Sequence, residues 1–552
     1  MIFKKEDLRF KRLGYMVDCS RGAVPKVSAL KKLADYLSAF GYTYLELYTE
    51  DTYEIEGEPY FGYMRGRYTK EEISDLAEYC AGKGMELIPC IQTLAHLERI
   101  KIYGDYADLF EISNILTVGD ERVYSLIEKM LKTVSENFGA KRVHVGMDEA
   151  YLLGRGKLLD KKGREDSCEI MRRHLGKVAE IAQKLGLTVE MWSDMFTENY
   201  HPLQEECRPE DGKLVPSIGQ GIPENVEPVM WTYIDRADED LNNFILKNKA
   251  LGKKTVFAGG AWKWMGFIPD NAYSIETVRK QIKKCVKHEV EGFMLTAWGD
   301  GAADASVFSV LPAAFATAVY AYGKDLDEHT KASFYKTVGT PFDSFMLLDK
   351  PNKPKDKKYV KLNNQSFVYF YNDVLQGVAD SIVPPDAKYL YVSVSEQVRK
   401  VKCGKDFKYL FASLKAYTDF VAEKSTIGKK AYEAYIAKEN DGLKACVKRL
   451  ENAVKLLDVF ISAYTERWHE ENKSFGFEKQ LIRLGGLKQR LLYARDRIKL
   501  YLSGKIATIE EFEVKRLPLG LVGCDENTTC EDVIINNFNL LSSAGGLMGD
   551  LG

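Results

Sequence analysis

From residue 12 to about residue 322, short apolar runs alternate with longer amphipathic stretches. Eight of the runs read as strands: 14–19, 44–48, 86–92, 142–146, 188–192, 229–233, 255–259 and 292–298. The text between them has helical periodicity. In 26–40, Val27, Leu30, Leu33, Ala34 and Leu37 recur on one face. In 121–138, Val123, Leu126, Ile127, Met130, Leu131 and Val134 do the same. Eight strand–helix units in succession predict a parallel (β/α)8 TIM barrel. An open doubly wound sheet is the alternative, but no Gly-x-Gly-x-x-Gly turn follows the first run. Over 323–360 the pattern breaks into Pro- and Lys-rich text, and beyond it helical spacing dominates, at 407–422, 429–439, 443–471 and 485–502. The expected organisation is a barrel over 1–325 followed by a mostly α-helical C-terminal domain over 326–552.

Composition narrows the function classes. The 552 residues carry 78 basic and 80 acidic groups, so no basic field exists to attract a nucleic acid. No run approaches 18 apolar residues, which predicts no membrane helix. The first seven residues lack an apolar h-region, and the expected location is cytoplasmic. Ten scattered cysteines without a Cys-x-x-Cys pair predict free thiols and no structural zinc. No metal or other cofactor is called for.

A TIM barrel keeps its chemistry at the C-terminal ends of its strands. Those ends read Asp18-Cys-Ser-Arg21, Tyr48-Thr-Glu50-Asp51, Gln92-Thr-Leu-Ala-His96 and His144-Val-Gly-Met-Asp148-Glu149. The second half continues with Trp192-Ser-Asp194, Trp231-Thr-Tyr233, Trp262-Lys-Trp264 and Trp298-Gly-Asp300. Five of the six tryptophans fall in this set, which favours a pocket that stacks on a flat, partly apolar face and hydrogen-bonds its rim. A sugar ring has both features. Each residue alone has a bland reading: His96 as a satisfied buried histidine, Arg21 as a loop ion pair, the tryptophans as packing. A polar cluster at every strand end is harder to explain that way.

The segment His144-Val-Gly-Met-Asp148-Glu149 resembles the His-x-Gly-x-Asp-Glu signature of glycoside hydrolase family 20, the β-N-acetylhexosaminidases. Asp18-x-x-Arg21, the stretch from Pro89 to His96, Trp192, Trp231-x-Tyr233 and Trp298-Gly-Asp300 extend the resemblance over roughly residues 10–322. Two departures stand out: no small α/β domain precedes the barrel, and Gln92 stands where many relatives have an acidic residue nearby. The resemblance implies a retaining exo-enzyme that removes terminal β-linked GlcNAc, GalNAc or both. Adjacent carboxylates are poorly placed to flank a sugar as acid and nucleophile, which need about 5 Å between them across the ring. Substrate assistance through an oxazoline intermediate removes that difficulty.

The resemblance further assigns Glu149 as general acid and base, Asp148 as the group orienting the acetamido N–H, and Tyr233 as donor to the acetamido oxygen. Arg21 and Asp300 are expected to grip hydroxyls, Trp298 to form the floor, and Trp192, Trp262 and Trp264 to wall the methyl group. Which of Trp262 and Trp264 lines the pocket stays open. His96 is expected to support the site. N-acetylhexosamine-terminated glycans are the expected partners, and the helical domain is compatible with a homodimer. Two other readings remain: an aminosugar-binding barrel without turnover, and a metal-dependent lyase or aldolase, for which Lys263 is the one candidate Schiff-base residue.

Overall fold

The computed structural model describes residues 2–197, 221–251, 254–301, 303–352 and 365–517. Eight parallel strands close into a barrel in sequential order. They are β1 (Arg12–Asp18), β2 (Tyr44–Tyr48), β3 (Glu86–Cys90), β4 (Arg142–His144), β5 (Thr188–Trp192), β6 (Val226–Trp231), β7 (Val256–Gly260) and β8 (Gly292–Ala297). Helices α1 (Val27–Phe40), α2 (Lys70–Gly82), α3 (Glu121–Phe138), α4 (Ser167–Lys184), α5 (Asp238–Lys249), α6 (Asn271–Lys287) and α7 (Leu311–Ala321) ring it. Start signals act locally: Thr69 and Glu72 form a reciprocal capping box on α2, and Asp120 and Asp166 cap α3 and α4.

Alternation along each strand separates two apolar clusters. Leu13, Tyr15 and Val17 of β1 join the helical shell, with Leu45, Leu47, Phe293 and Leu295. Met16, Tyr44, Ile88, Cys90, Trp192, Val229, Ala258, Met294 and Trp298 fill the barrel interior. A Cβ on Gly14 would lie 1.9 Å from the Tyr44 ring, so that ring occupies the space a β1 side chain would need.

The N-terminal end of the barrel is plugged by charge. Arg12 lies 3.1 Å from Glu227 and bonds Glu190, while Arg142 pairs with both carboxylates. Glu46 stands above this set, fully buried, and its two oxygens find no hydrogen-bond partner among the described residues. Burial, and then the Glu190 charge, push its carboxyl well above the ordinary range. Two cations already balance two anions there, so no unpaired cation is left to favour a charge on Glu46.

Past the barrel come α8 (Ala387–Arg399), α9 (Lys408–Lys424), α10 (Ile427–Ile436), α11 (Asn440–Glu471) and α12 (Phe477–Leu502). Phe267, from the loop after β7, inserts among rings of this region, 5.2 Å from Phe370 of the preceding helix Gln365–Tyr371, 5.2 Å from Phe460 and Tyr464 and 5.5 Å from Tyr417. The stretch read as Pro- and Lys-rich is structured as far as it is described. Asp327 opens the helix Glu328–Val338 with a capping box, and the Asp349 carboxylate accepts the Asn271 and Ala272 N–H groups at the start of α6. Residues 353–364 and 518–552 lie outside the described residues. Six described cysteines are free. Cys168 is disulfide-bonded, against the expectation of free thiols throughout. Among the described residues no helix is long and apolar enough to cross a membrane.

Candidate active site

Strand β4 ends at His144, two residues before the run read from sequence. Gly146, Met147 and Glu149 all have positive φ, of 72°, 72° and 53°, so the chain turns sharply past the barrel rim. Gly146 also lacks space for a side chain: a Cβ would sit 2.0 Å from Gln92 Oε1. The turn removes the strand alternation that would send Asp148 and Glu149 to opposite faces. Both line one cavity of about 220 Å³, with Arg21, His96, Trp192, Trp231, Tyr233, Trp298 and Asp300.

Asp148 is held from two sides. Gln92 donates its amide N–H to Oδ1 at 2.8 Å, and His96 Nε2 lies 3.3 Å from Oδ2. The Gln92 amide N–H also reaches Tyr48, whose hydroxyl donates to Glu50 at 3.1 Å, and Gln92 Oε1 accepts the Met147 N–H at 3.1 Å. Burial disfavours the charged form of Asp148, yet the His96 charge and the bonds from His96 and Gln92 prevail and hold its carboxyl below the ordinary value. Burial likewise opposes the His96 imidazolium, but Asp148 and Glu50 lift that histidine to about 9. Glu149 behaves oppositely: burial, then the Asp148 charge, raise it. Two neighbouring carboxyls are thus driven apart.

Glu149 is fixed through backbone and side chain. Its N–H donates to Asp194 Oδ2 at 3.0 Å, and Tyr151 donates to its Oε1 at 3.0 Å. Asp194 also accepts the Trp231 indole N–H at 3.3 Å. Burial and the Asp148 charge push Asp194 up to about 7. Opposite, Trp231 and Tyr233 stack at 5.2 Å, and Trp192 lies 5.9 Å from Trp298. The Trp192 indole N–H is buried and finds no acceptor among the described residues. At the rim, Arg21 lies 3.7 Å from Asp18, 3.5 Å from Glu50 and 3.6 Å from Asp300. No one of these contacts is short enough to commit its donors.

Trp262 and Trp264 are placed differently from the other aromatics. They pack on one another, tilted, with ring centroids 4.1 Å apart behind Tyr233, and Trp262 donates its indole N–H to the Tyr233 carbonyl at 2.8 Å. His144 packs beneath Trp192 at 4.3 Å. Its Nδ1 accepts the Gly146 N–H at 3.1 Å and burial lowers it to about 4, so the neutral ring carries its proton on Nε2. Glu46, Cys90 and His144 stand close enough to share an ion, but that tautomer leaves His144 no free lone pair on Nε2. His96, Asp148 and Glu149 form the second such group; His96 Nε2 lies 3.3 and 3.6 Å from the two carboxylates, which Gln92 and Tyr151 also engage. Lys263 is buried and faces Asp18, Glu471 and Asp300. Of the other strand-end groups, Asp194, expected from sequence to support the tryptophan loop, does accept from Trp231 as well as from the Glu149 N–H. Gln92 braces Asp148 directly, and Glu50, a candidate for the sugar rim or a cap, does so through Tyr48. Tyr151 carried no signal beyond following Glu149 by two positions.

A model described as the glycosyl hydrolase family 20 catalytic domain matches residues 10–210, and one described as the glycoside hydrolase 20C C-terminal domain matches 343–529. Hexosaminidase D of Homo sapiens is 29% identical over 255 residues, 44% of this chain and 49% of that protein. Hexosaminidase D of Bos taurus is 29% identical over 44% of this chain and 68% of its own length. The matched stretch thus spans about half of the human relative. The crystal structure of a β-N-acetylhexosaminidase from Bacteroides fragilis aligns with TM-score 0.42 at 19% identity, over 56% of this chain and 66% of that one.

Proposed function

We propose that this chain, which belongs to glycoside hydrolase family 20, is a retaining exo-β-N-acetylhexosaminidase whose substrate supplies its own nucleophile. The reading rests above all on the opposed treatment of two adjacent carboxyls in one cavity, Asp148 biased towards its carboxylate and Glu149 towards its protonated form. The acetamido carbonyl oxygen attacks the anomeric carbon as the bond to the leaving oxygen breaks, and Glu149 gives its proton to that oxygen. Asp148 accepts the acetamido N–H, polarising the amide and offsetting the positive charge of the oxazolinium. Glu149, now a carboxylate, takes a proton from water as the water opens that ring with net retention.

Tyr233 donates to the acetamido oxygen, Trp298 carries the sugar face, and Arg21 and Asp300 hold its hydroxyls. His96, cationic below about 9, keeps Asp148 charged. Trp192 and Trp231 wall the acetamido group, with Trp262 and Trp264 backing Tyr233 rather than touching the sugar. Residues 1–325 are taken as the catalytic barrel, and a cavity of about 220 Å³ suits one terminal ring, GlcNAc or GalNAc.

The test is hydrolysis of the 4-nitrophenyl β-glycosides of GlcNAc, GalNAc and glucose across pH. Turnover of the N-acetyl sugars alone is expected. The alkaline limb of kcat/KM should reflect Glu149 losing its proton above the usual glutamate range, and the acid limb Asp148 gaining one. Comparable rates on glucose sink the substrate-assisted route. Binding of N-acetylhexosamines without turnover favours a non-catalytic aminosugar barrel.

A further inference from the structure

Trp298 and Asp300 stand on the segment that leaves β8, whose start the barrel fastens where Asp18 Oδ2 accepts the Gly299 N–H at 2.9 Å. Beyond that point the fastenings come from α11 and α12. Arg483 Nη1 lies 3.1 Å from Asp304 Oδ1 and 3.4 Å from the Gly301 carbonyl. Arg467 donates to the Asp304 carbonyl at 2.5 Å, and the Tyr464 hydroxyl reaches the same oxygen at 3.4 Å. Glu471 accepts the Ser306 hydroxyl at 2.5 Å and the Val307 N–H at 3.1 Å. Between these anchors Ala303 sits at φ 52°, a backbone conformation that a β-carbon disfavours and that persists only where the surroundings impose it.

The placement of these charges is selective. Arg467, Glu471 and Asp304 are buried, and Arg483 is nearly so. Taking them out of water is costly, and the cost is recovered only by fixed geometry. Joining two domains does not require it, because Phe267 among the helical rings already does so with apolar contact. Arg467, Glu471 and Arg483 instead converge on the few residues that follow Asp300, Asp304 among them. Asp300 in turn is 3.6 Å from Arg21, the other rim group.

We propose that Arg483, Arg467 and Glu471 are positioning residues for sugar recognition: from the helical domain they fix the segment bearing Asp300, and thereby the grip on the hydroxyls of the terminal sugar. This rests on the hexosaminidase reading. The second domain is then a working part of the site, because displacing a positioned group by about 1 Å can cost on the order of 10²-fold in rate.

A double-mutant cycle of Arg483→Met with Asp300→Asn tests it, with kcat and KM measured on the 4-nitrophenyl N-acetylhexosaminide and N-acetylglucosamine affinity measured calorimetrically. Arg483→Met alone should lower kcat/KM by about ten-fold or more, mainly through KM, and Arg483→Lys should recover part of the loss. In the Asp300→Asn background the same change should cost little, because its route is already cut. Losses that multiply, or a fall in kcat with unchanged KM, overturn the inference and leave the functional reading standing. Should Arg483→Met fail to fold, Asp304→Asn takes its place in the cycle with the same expectations. A wild-type protein that neither binds nor cleaves N-acetylhexosaminides removes the reading and this inference together.

Discussion

The barrel holds two layers of buried charge built from the same residue types, and they differ in how tightly the charges close on each other. At the N-terminal end Arg12, Arg142, Glu190 and Glu227 pair two against two, with each carboxylate shared between both guanidinium groups. At the C-terminal end Arg21 sees three carboxylates, none nearer than 3.5 Å, and His96 stands 3.3 and 3.6 Å from its two. The closed layer commits most of its donors to itself, with Arg12 Nη1 the exception. The open layer keeps donors and acceptors uncommitted, so a ligand can complete it. Charge type alone does not separate a structural network from a functional one; the contact distances do.

Glu149→Gln breaks the open layer most directly. It removes the proposed proton donor while keeping the side-chain shape, and kcat should fall by about 10²–10⁴-fold. The melting temperature should barely move, since the Glu149 side chain is 41% exposed. A large loss of stability in that variant would show that the open layer is structural after all. Glu190→Ala strikes the closed layer in the opposite way. It leaves Arg12 and Arg142 to share the single carboxylate of Glu227, an uncompensated buried positive charge, and denaturant unfolding should report a loss of about 3–5 kcal/mol. Whatever fraction stays folded should keep the wild-type KM; a changed KM would mean that the two layers communicate. Glu46→Gln is the finest probe. An uncharged Glu46 predicts a shift of the melting midpoint by no more than a few degrees, and a much larger one would mean that its carboxylate is ionised and balancing the arginines.

The open layer was largely legible in the sequence, because barrel strands end where apolar alternation stops and the groups at those ends are read off directly. Arg21, His96, Asp148, Glu149, Trp192, Tyr233, Trp298 and Asp300 do line one cavity. The closed layer was not legible. Arg12 and Arg142 sit at strand starts, where a charge looks like the edge of a loop, and their partners are 178 and 85 residues away. Trp262 and Trp264 expose another limit. Spacing of two suggests a shared side but not whether that side faces the cavity, and both pack behind Tyr233. The turn after His144 was hidden for a related reason: Met147 and Glu149 hold positive φ that their residue types do not announce.

The anchoring of Asp304, Ser306 and Val307 by residues 464–483 has a consequence for the order in which the protein comes into being. Chains fold as they emerge from the ribosome, N-terminal part first. The eight strands are translated long before α11 and α12, so the nascent barrel meets its surroundings with the segment after β8 unfastened. The edge of the pocket proposed to grip the sugar is therefore completed only after α11 and α12 have been made, and a chain truncated short of α12 carries every strand-end residue of the site on a mouth it has no means to finish.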